Sequence, residues 1–398
     1  MTIDCDLMQL FYINHSIHEP WHSIFIFLYG ILILTAFIFN SLVLYAVYRS
    51  CRRPEIDTII RTRIILIGHL CTFDILLTFT MPWTAVDALT KFWPFGLETE
   101  LMCKLTKSAS AAVVFSSSMM IIVIAIDSYR NIVYASGRQL TPPTIFKMTP
   151  VIIFLALSFS FPIFYHTRLI LPEEVLGINN NTTSENKYTT DTTSQQQDIS
   201  NTYKLATLQQ EMSHTRVKSN SNPCNEIEDD GKDNWAHVVY CAEDWELGGH
   251  GHDSTTLNRV YYSLFSLTTQ CLVPFFTISI LYFMVYLKLR NLSVVRSSMM
   301  SLSAQEARKR DNKREKRTNR MLITISMVFC FCWLPLNLIG TLMDIDYTLF
   351  GESIDAMTII FMSCHIVGMC SACINPVIYG FCNETIRKGN NKSYVISN

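Results

Sequence analysis

Seven stretches of the chain contain almost no charged residues and are long enough to cross a lipid bilayer as helices. The hydrocarbon core of a membrane is spanned by about 20 residues of α-helix. The third stretch is the clearest, because Ser108 to Ile126 carries no charge and would extend about 28 Å at 1.5 Å per residue. The pattern therefore predicts an all-α membrane protein, a bundle of seven transmembrane helices. The predicted spans are 22–48, 63–89, 105–126, 148–167, 260–287, 321–343 and 356–382.

Basic residues concentrate in alternate connections between the predicted spans. Arg49, Arg52 and Arg53 follow the first span, and eight lysines or arginines lie from Arg308 to Arg320, before the sixth. Acidic residues predominate in the opposite connections. Connections rich in lysine and arginine stay on the cytoplasmic side of a membrane. We therefore predict that the N-terminus is outside the cell and the C-terminus inside.

The composition agrees with a membrane protein and excludes several other classes. Of 398 residues, 49% are hydrophobic and only 16% are charged, which is too apolar for an ordinary soluble domain. The 13 cysteines show no spacing typical of a zinc site. No nucleophile is paired with a base, so we expect no enzymatic activity, and we expect no nucleic-acid partner. The N-terminus is acidic rather than basic, which predicts that no signal peptide is cleaved.

The spans divide the chain into a membrane domain and its connections. Residues 1–21 are predicted to form an extracellular N-terminus, 22–382 the seven-helix domain and 383–398 a short cytoplasmic tail. Two connections are long. The external one, 168–257, has a polar centre that we predict to be disordered. The internal one, 289–317, ends in a basic stretch that either extends the sixth helix or contacts anionic lipid headgroups.

An acidic residue, Asp74, lies in the middle of the second predicted span. A carboxylate at this depth is costly unless it faces a polar interior, so it is a candidate functional residue. Ser117, Ser371 and Asn375 on other spans can supply neutral oxygen atoms. Such a set suits a hard cation. Two interpretations stay open, a sodium site and a simple hydrogen-bonded cluster. Apart from a sodium ion here, we expect no metal or cofactor.

Five spans contain a proline, which removes a backbone hydrogen bond and kinks a helix. Two of these prolines belong to recognisable motifs. Phe329 and Trp333 precede Pro335 in the sixth span, and the seventh contains Asn375-Pro376 followed by Tyr379. Either motif alone is a weak signal. The two motifs on successive spans, in this order and at these depths, are together a strong one. The prolines that we expect to kink the spans are Pro82, Pro162, Pro274, Pro335 and Pro376.

These motifs resemble those of the rhodopsin-like, or class A, G-protein-coupled receptors, and the resemblance covers the chain outside its two long loops. Within that family the chain looks most like the neuropeptide Y and neuropeptide F receptors. Further residues that carry the family resemblance are Asn40, Leu70, Asp74, Trp93 to Gly96, Cys103 with Cys241, and Pro274 with Tyr282. Those that carry the subfamily resemblance are Leu89 to Gly96, Gln270, Arg317 to Leu322, Trp333 to Asn337, Met343-Asp344, and Cys364-His365 with Met369.

The resemblance implies a plasma-membrane receptor for an amidated peptide that ends in an arginine and an aromatic residue. It implies signalling through a heterotrimeric G protein, of the inhibitory type, and a short amphipathic cytoplasmic helix after the seventh span. It also implies a disulfide between Cys103 and Cys241. Cys5 and Cys224 are then left outside, and we predict that they form a second bridge. External Asn-X-Ser/Thr triplets predict N-glycosylation at Asn14, Asn180 and Asn181.

The expected peptide contacts follow from the chemistry of residues near the external ends of the spans. Asp344 lies two and a half turns beyond Pro335, where a carboxylate can pair with a guanidinium. Gln270 and His365 would offer amide and imidazole groups deeper in the pocket. The alternatives are a solvated acid at the rim for Asp344 and a satisfied interhelical histidine for His365. Glu243 and Asp244 would attract a basic peptide and raise its association rate.

The chain departs from the family at several positions. The usual Asp-Arg-Tyr reads Asp127-Ser128-Tyr129, and Arg130 lies about 200° around the helix from the missing arginine. The alternative function is therefore a decoy that binds peptide and couples weakly. Ser110 and Gly340 stand where the subfamily more often has larger residues, which would enlarge the pocket. No acid lies near Ser110 and no lysine near Met369, which argues against an amine receptor and an opsin.

Overall fold

In a computed structural model of the full chain, the described residues are 20–54, 56–90, 93–133, 140–170, 239–245, 252–295, 302–345 and 354–382. Within these ranges seven helices are long and apolar enough to cross a membrane, as predicted. The first four helices are α1 Trp21–Cys51, α2 Thr58–Thr90, α3 Glu100–Val133 and α4 Pro142–His166. The fifth, α5, runs from His252–Leu267 through a π-helical turn, Thr268–Leu272, to Val273–Val295. The last two are α6 Leu302–Ile345 and α7 Ile354–Cys382.

The helices extend further than the apolar windows that predicted them. Helix α2 begins at Thr58, five residues before its window, and α6 begins at Leu302. The basic stretch at 304–317 is therefore a helical extension of the sixth span. The glycosylation triplets, Cys5, Cys224 and the tail after Cys382 lie outside the described residues, so those predictions stay open.

Large apolar side chains cover the outside of the bundle. Phe154, Phe161 and Tyr165 on α4 are all more than half exposed. In a soluble protein such a continuous apolar surface would promote aggregation. A helix satisfies its own backbone hydrogen bonds, so in a bilayer these faces can contact lipid at no cost.

Polar side chains join α1, α2 and α7 inside the bundle. The Asn40 amide donates to the backbone oxygens of Ala36, at 2.9 Å, and Ala372, at 2.8 Å. Gly68 lets α2 approach α1, because a Cβ atom there would lie 3.0 Å from a Val47 methyl group. These contacts hold the first, second and seventh spans together.

A π-helical turn precedes Pro274 in the fifth span. Proline has no N–H group, so the carbonyl four residues earlier, at Gln270, loses its usual partner. The Ser118 hydroxyl on α3 approaches the carbonyl oxygens of Thr269 and Gln270 at 3.3 Å each. A side chain of a neighbouring span therefore satisfies backbone groups that the irregular turn releases.

The chain divides into two compact units, and the smaller contains described residues at 93–100, 168–170 and 239–242. Trp93 is buried there and donates from its indole nitrogen to the Thr99 hydroxyl at 2.7 Å. Gly96 has a φ of 82°, a conformation that favours glycine, and a short 3-10 helix, Leu97–Thr99, follows. Strands β1 Thr167–Ile170 and β2 Tyr240–Glu243 pair in a small sheet. Cys103 and Cys241 are disulfide-bonded, as the resemblance implied.

Candidate functional site

Asp344 lies in the last turn of α6 and contacts two residues of α5. Arg259 pairs with it at 2.7 Å, between Nε and Oδ1. The Ser263 hydroxyl donates a hydrogen bond to its other oxygen. Arg259 and Ser263 are four residues apart and therefore share one face of α5. The acid predicted to accept a ligand guanidinium thus already binds an arginine of this chain.

A second ion pair lies at the same end of the bundle, between α2 and α3. Lys107 Nζ is 2.5 Å from Asp87 Oδ2. Glu243 interacts electrostatically with both Lys107 and Asp344. Together with Arg259 and Asp344, these residues form a cluster of three acids and two bases. Asp87, Lys107 and Arg259 were not predicted as site residues, although a signal exists in the sequence, because each charge lies inside or beside an apolar window.

Glu243 and Asp244 are fixed by aromatic neighbours. The indole nitrogen of Trp245 donates to Glu243 at 3.1 Å. The Trp245 ring stacks on His166, with centroids 4.2 Å apart. The Asp244 backbone nitrogen donates to the His166 carbonyl at 2.7 Å. These contacts hold the two predicted acids against the end of α4.

Gln270 belongs to a polar chain between α5 and α6. Its amide nitrogen donates to the Ser266 hydroxyl at 2.9 Å, and its amide oxygen accepts from Asn337 at 3.3 Å. Asn337 also donates to the Trp333 carbonyl at 3.0 Å. Asn337 lies two turns of α6 below Asp344. The predicted ligand residue Gln270 is therefore buried and bonded within the protein in this state.

The two remaining predicted ligand residues lie on α7 and α3. His365 Nδ1 and the Tyr29 hydroxyl of α1 form a hydrogen bond at 2.6 Å. The alternative interpretation of His365, a satisfied interhelical histidine, requires a hydrogen-bond partner of this kind on another helix. Ser110 is partly buried on α3, three residues after Lys107. The roles of His365 and Ser110 as ligand contacts stay predictions.

Asp74 is buried and accepts a hydrogen bond from Asn375 at 3.1 Å. Ser371 instead accepts from the Trp333 indole nitrogen at 3.1 Å and donates to the Gly368 carbonyl. The Ser117 hydroxyl is buried with no protein partner among the described residues. Of the four residues predicted to bind sodium, the structure thus joins Asp74 and Asn375 directly. Their oxygen atoms are ligands of the type that sodium takes, and the sodium site stays a prediction.

Trp333 fills the space between α6 and α7. It is buried, and its ring centroid lies 6.2 Å from that of Phe329. A Cβ atom on Gly368 would lie 3.4 Å from the indole ring. Glycine at this position therefore lets the large ring sit against the backbone of the neighbouring span.

A polar cluster occupies the opposite end of the bundle. Asp127 lies 3.7 Å from Arg63 Nε of α2 and accepts from the Asn131 amide at 3.0 Å. The side chains of Arg63 and Asp127 are only 13% and 1% exposed. Ser128 is buried beside the Tyr282 hydroxyl. Arg63 could not be identified as a site residue from the sequence, because nothing in one sequence shows which helix it faces.

The comparison with protein families decides the class of this bundle. The family described as 7 transmembrane receptor (rhodopsin family) matches residues 24–205 and 219–379. The chain belongs to this family. The receptor is thus a multi-pass protein of the plasma membrane and not an enzyme.

Three relatives narrow the class of the receptor. It is 30% identical to the Neuropeptide F receptor of Drosophila melanogaster, covering 97% of this chain and 65% of that one. It is 25% identical to the Neuropeptide Y receptor type 6 of Mus musculus, covering 95% and 82%. It is also 25% identical to the Neuropeptide FF receptor 2 of Rattus norvegicus, covering 96% and 75%. The chain spans less than two thirds of the Drosophila protein. The resemblance to neuropeptide Y and F receptors is confirmed.

Proposed function

We propose that the receptor binds an extracellular amidated neuropeptide with an arginine beside its terminal aromatic residue. The names of its relatives support a peptide ligand. The observation that carries the proposal is Asp344, a carboxylate only 10% exposed at the predicted external end of α6. The cluster of three acids and two bases has a net charge of −1, and Asp244 adds a further acid beside Glu243. Such a site favours a cationic ligand.

Neutralising Asp344 is the direct test of this pairing. We expect Asp344→Asn to weaken an Arg-containing amidated peptide by about 10- to 100-fold, since a hydrogen bond to a charged group contributes about 1.5–3 kcal/mol. The same peptide with citrulline in place of arginine should change less than about threefold, because it lacks the charge. Competition binding on intact cells measures both. Glu98→Gln, at an exposed acid, is the control.

Two results would contradict the proposal. One is an equal loss of affinity for the arginine and citrulline peptides in Asp344→Asn. The other is that no amidated peptide with an arginine-aromatic end binds, or that such peptides bind no better than their free acids.

The second part of the proposal is signalling through a heterotrimeric G protein, of the inhibitory type. The alternative, a decoy, rested on the missing arginine at Ser128. The pairing of Asp127 with Arg63 supports signalling, because the acid next to the missing arginine keeps a cationic partner.

Restoring the family arginine discriminates signalling from the decoy. We expect peptide-stimulated nucleotide exchange in membranes to be robust in the wild type and to change less than about twofold in Ser128→Arg, a difference under about 0.4 kcal/mol. Exchange that appears only in Ser128→Arg would establish the decoy instead. Surface expression measured on the same membranes corrects for receptor amount.

A further inference from the structure

We propose that Arg259 is an internal competitor for Asp344, which it releases when the guanidinium of a peptide arrives. This inference rests on the proposed function and adds a residue that sets specificity. The free receptor holds Asp344 in an ion pair with Arg259 at 2.7 Å. Because a peptide guanidinium has the same chemistry, it must replace Arg259 or share the carboxylate with it.

The two partners of this pair differ in how firmly they are held. The Asp344 side chain is 10% exposed and is also bonded to the Ser263 hydroxyl. The Arg259 side chain is 50% exposed. A half-exposed arginine loses little free energy when it leaves an ion pair, because solvent already stabilises its charge. The acid therefore stays in place while the arginine exchanges.

Glu243 is the acceptor for the displaced arginine. It lies close enough to interact electrostatically with Asp344 and Lys107. Its hydrogen bond to the Trp245 indole uses one of its two oxygens. An ionised carboxylate has about four acceptor positions, so it can also receive a guanidinium. Because Glu243 interacts with the carboxylate that Arg259 leaves, we expect Arg259 to turn to this acid.

The charge balance within the five-residue cluster supports an incoming cation. Asp87, Glu243 and Asp344 carry three negative charges, and Lys107 and Arg259 carry two positive charges. The Lys107–Asp87 pair stays intact throughout this exchange. After a peptide arginine binds to Asp344 and Arg259 turns to Glu243, every acid in the cluster has one cationic partner.

Removing the competitor should strengthen binding. We expect Arg259→Gln to tighten an Arg-containing amidated peptide by about 3- to 10-fold, with no change for the citrulline peptide. Arg259→Lys keeps a competing cation and should stay within about twofold of the wild type. Competition binding on intact cells, with surface receptor quantified by an epitope tag, separates affinity from expression.

Two double variants distinguish local competition from a general change of charge. In the Asp344→Asn background, Arg259→Gln should no longer tighten the arginine peptide, because the contested acid is gone. Glu243→Gln should weaken that peptide about threefold in the wild type, yet have little effect in Arg259→Gln. Tightening that persists without Asp344 would mean a long-range field effect and would overturn the inference.

The inference and the proposed function fail in different ways. If Asp344→Asn leaves the affinity for the arginine peptide unchanged, the proposed guanidinium acceptor is wrong. If Asp344→Asn weakens binding and Arg259→Gln weakens it too or leaves it unchanged, Arg259 supports the acid rather than competing for it. In that case the competitor is rejected and the proposed function stands.

Discussion

Replacing Arg63 with glutamine should raise ligand-independent nucleotide exchange about fivefold or more and lower the thermal stability of the receptor. Arg63 and Asp127 join α2 to α3 and are nearly shielded from solvent. Removing one partner of a fully buried ion pair costs about 3–5 kcal/mol. The cost here should be smaller, because Asp127 keeps the Asn131 hydrogen bond and the attraction of Arg130. We expect this pair to favour the inactive arrangement, and losing even about 1 kcal/mol of that preference gives a fivefold shift in population. Nucleotide exchange without peptide measures the first effect, and thermal unfolding in detergent the second.

Two control variants make the Arg63 test specific. Arg61→Gln removes a nearby cation that donates to the Arg53 carbonyl at 3.0 Å rather than to Asp127, and it should leave basal exchange near the wild-type value. Asp127→Asn combined with Arg63→Gln removes both charges and should recover most of the lost stability. Equal basal exchange and equal unfolding temperature in Arg63→Gln and the wild type would show that the pair contributes nothing.

Trp333→Ala should lower the stability of the receptor by about 3–5 kcal/mol, because it removes a buried ring and leaves a cavity between α6 and α7. At roughly 2–4 °C per kcal/mol this corresponds to a fall of about 10 °C in unfolding temperature. A thiol-reactive fluorophore can follow unfolding, since Cys71, Cys271, Cys330 and Cys332 are free and buried.

Trp333→Phe is the matched variant for this test. It keeps an aromatic ring and removes the hydrogen bond to Ser371, whose hydroxyl still donates to Gly368 at 2.8 Å. Its cost should be about 1 kcal/mol. Equal losses in the alanine and phenylalanine variants would mean that the hydrogen bond, not the packing of the ring, determines stability here.

The number and order of the spans could be predicted because a bilayer imposes a single requirement on every crossing segment. Twenty apolar residues suffice to cross, and each of the seven windows met that condition. The helix ends could not be predicted in the same way. Helix α6 continues from the membrane back to Leu302 through a basic stretch, because a helix that leaves lipid no longer needs apolar side chains.

The positions of Asp344, Gln270 and Asp74 could be identified as polar residues in apolar surroundings. Their partners could not, because those lie on other helices. Which face of α5 meets α6 decides that Arg259 reaches Asp344. The pairing of Arg63 with Asp127 could not be predicted for the same reason, since a single sequence gives the charge of a residue but not the rotation of its helix.

The π-helical turn at Thr268–Leu272 affects the whole outer half of the fifth span. An α-helix turns about 100° per residue, and a wider turn accommodates one residue more than the regular spiral would. The side chains before it are therefore oriented differently from those on an uninterrupted rod that continued outward from Pro274. This offset turns Arg259 and Ser263 towards Asp344. Deleting a single residue from the turn would rotate Arg259 and Ser263 away from Asp344 by about 100°. The Asp344 carboxylate would then face a different side of the fifth helix.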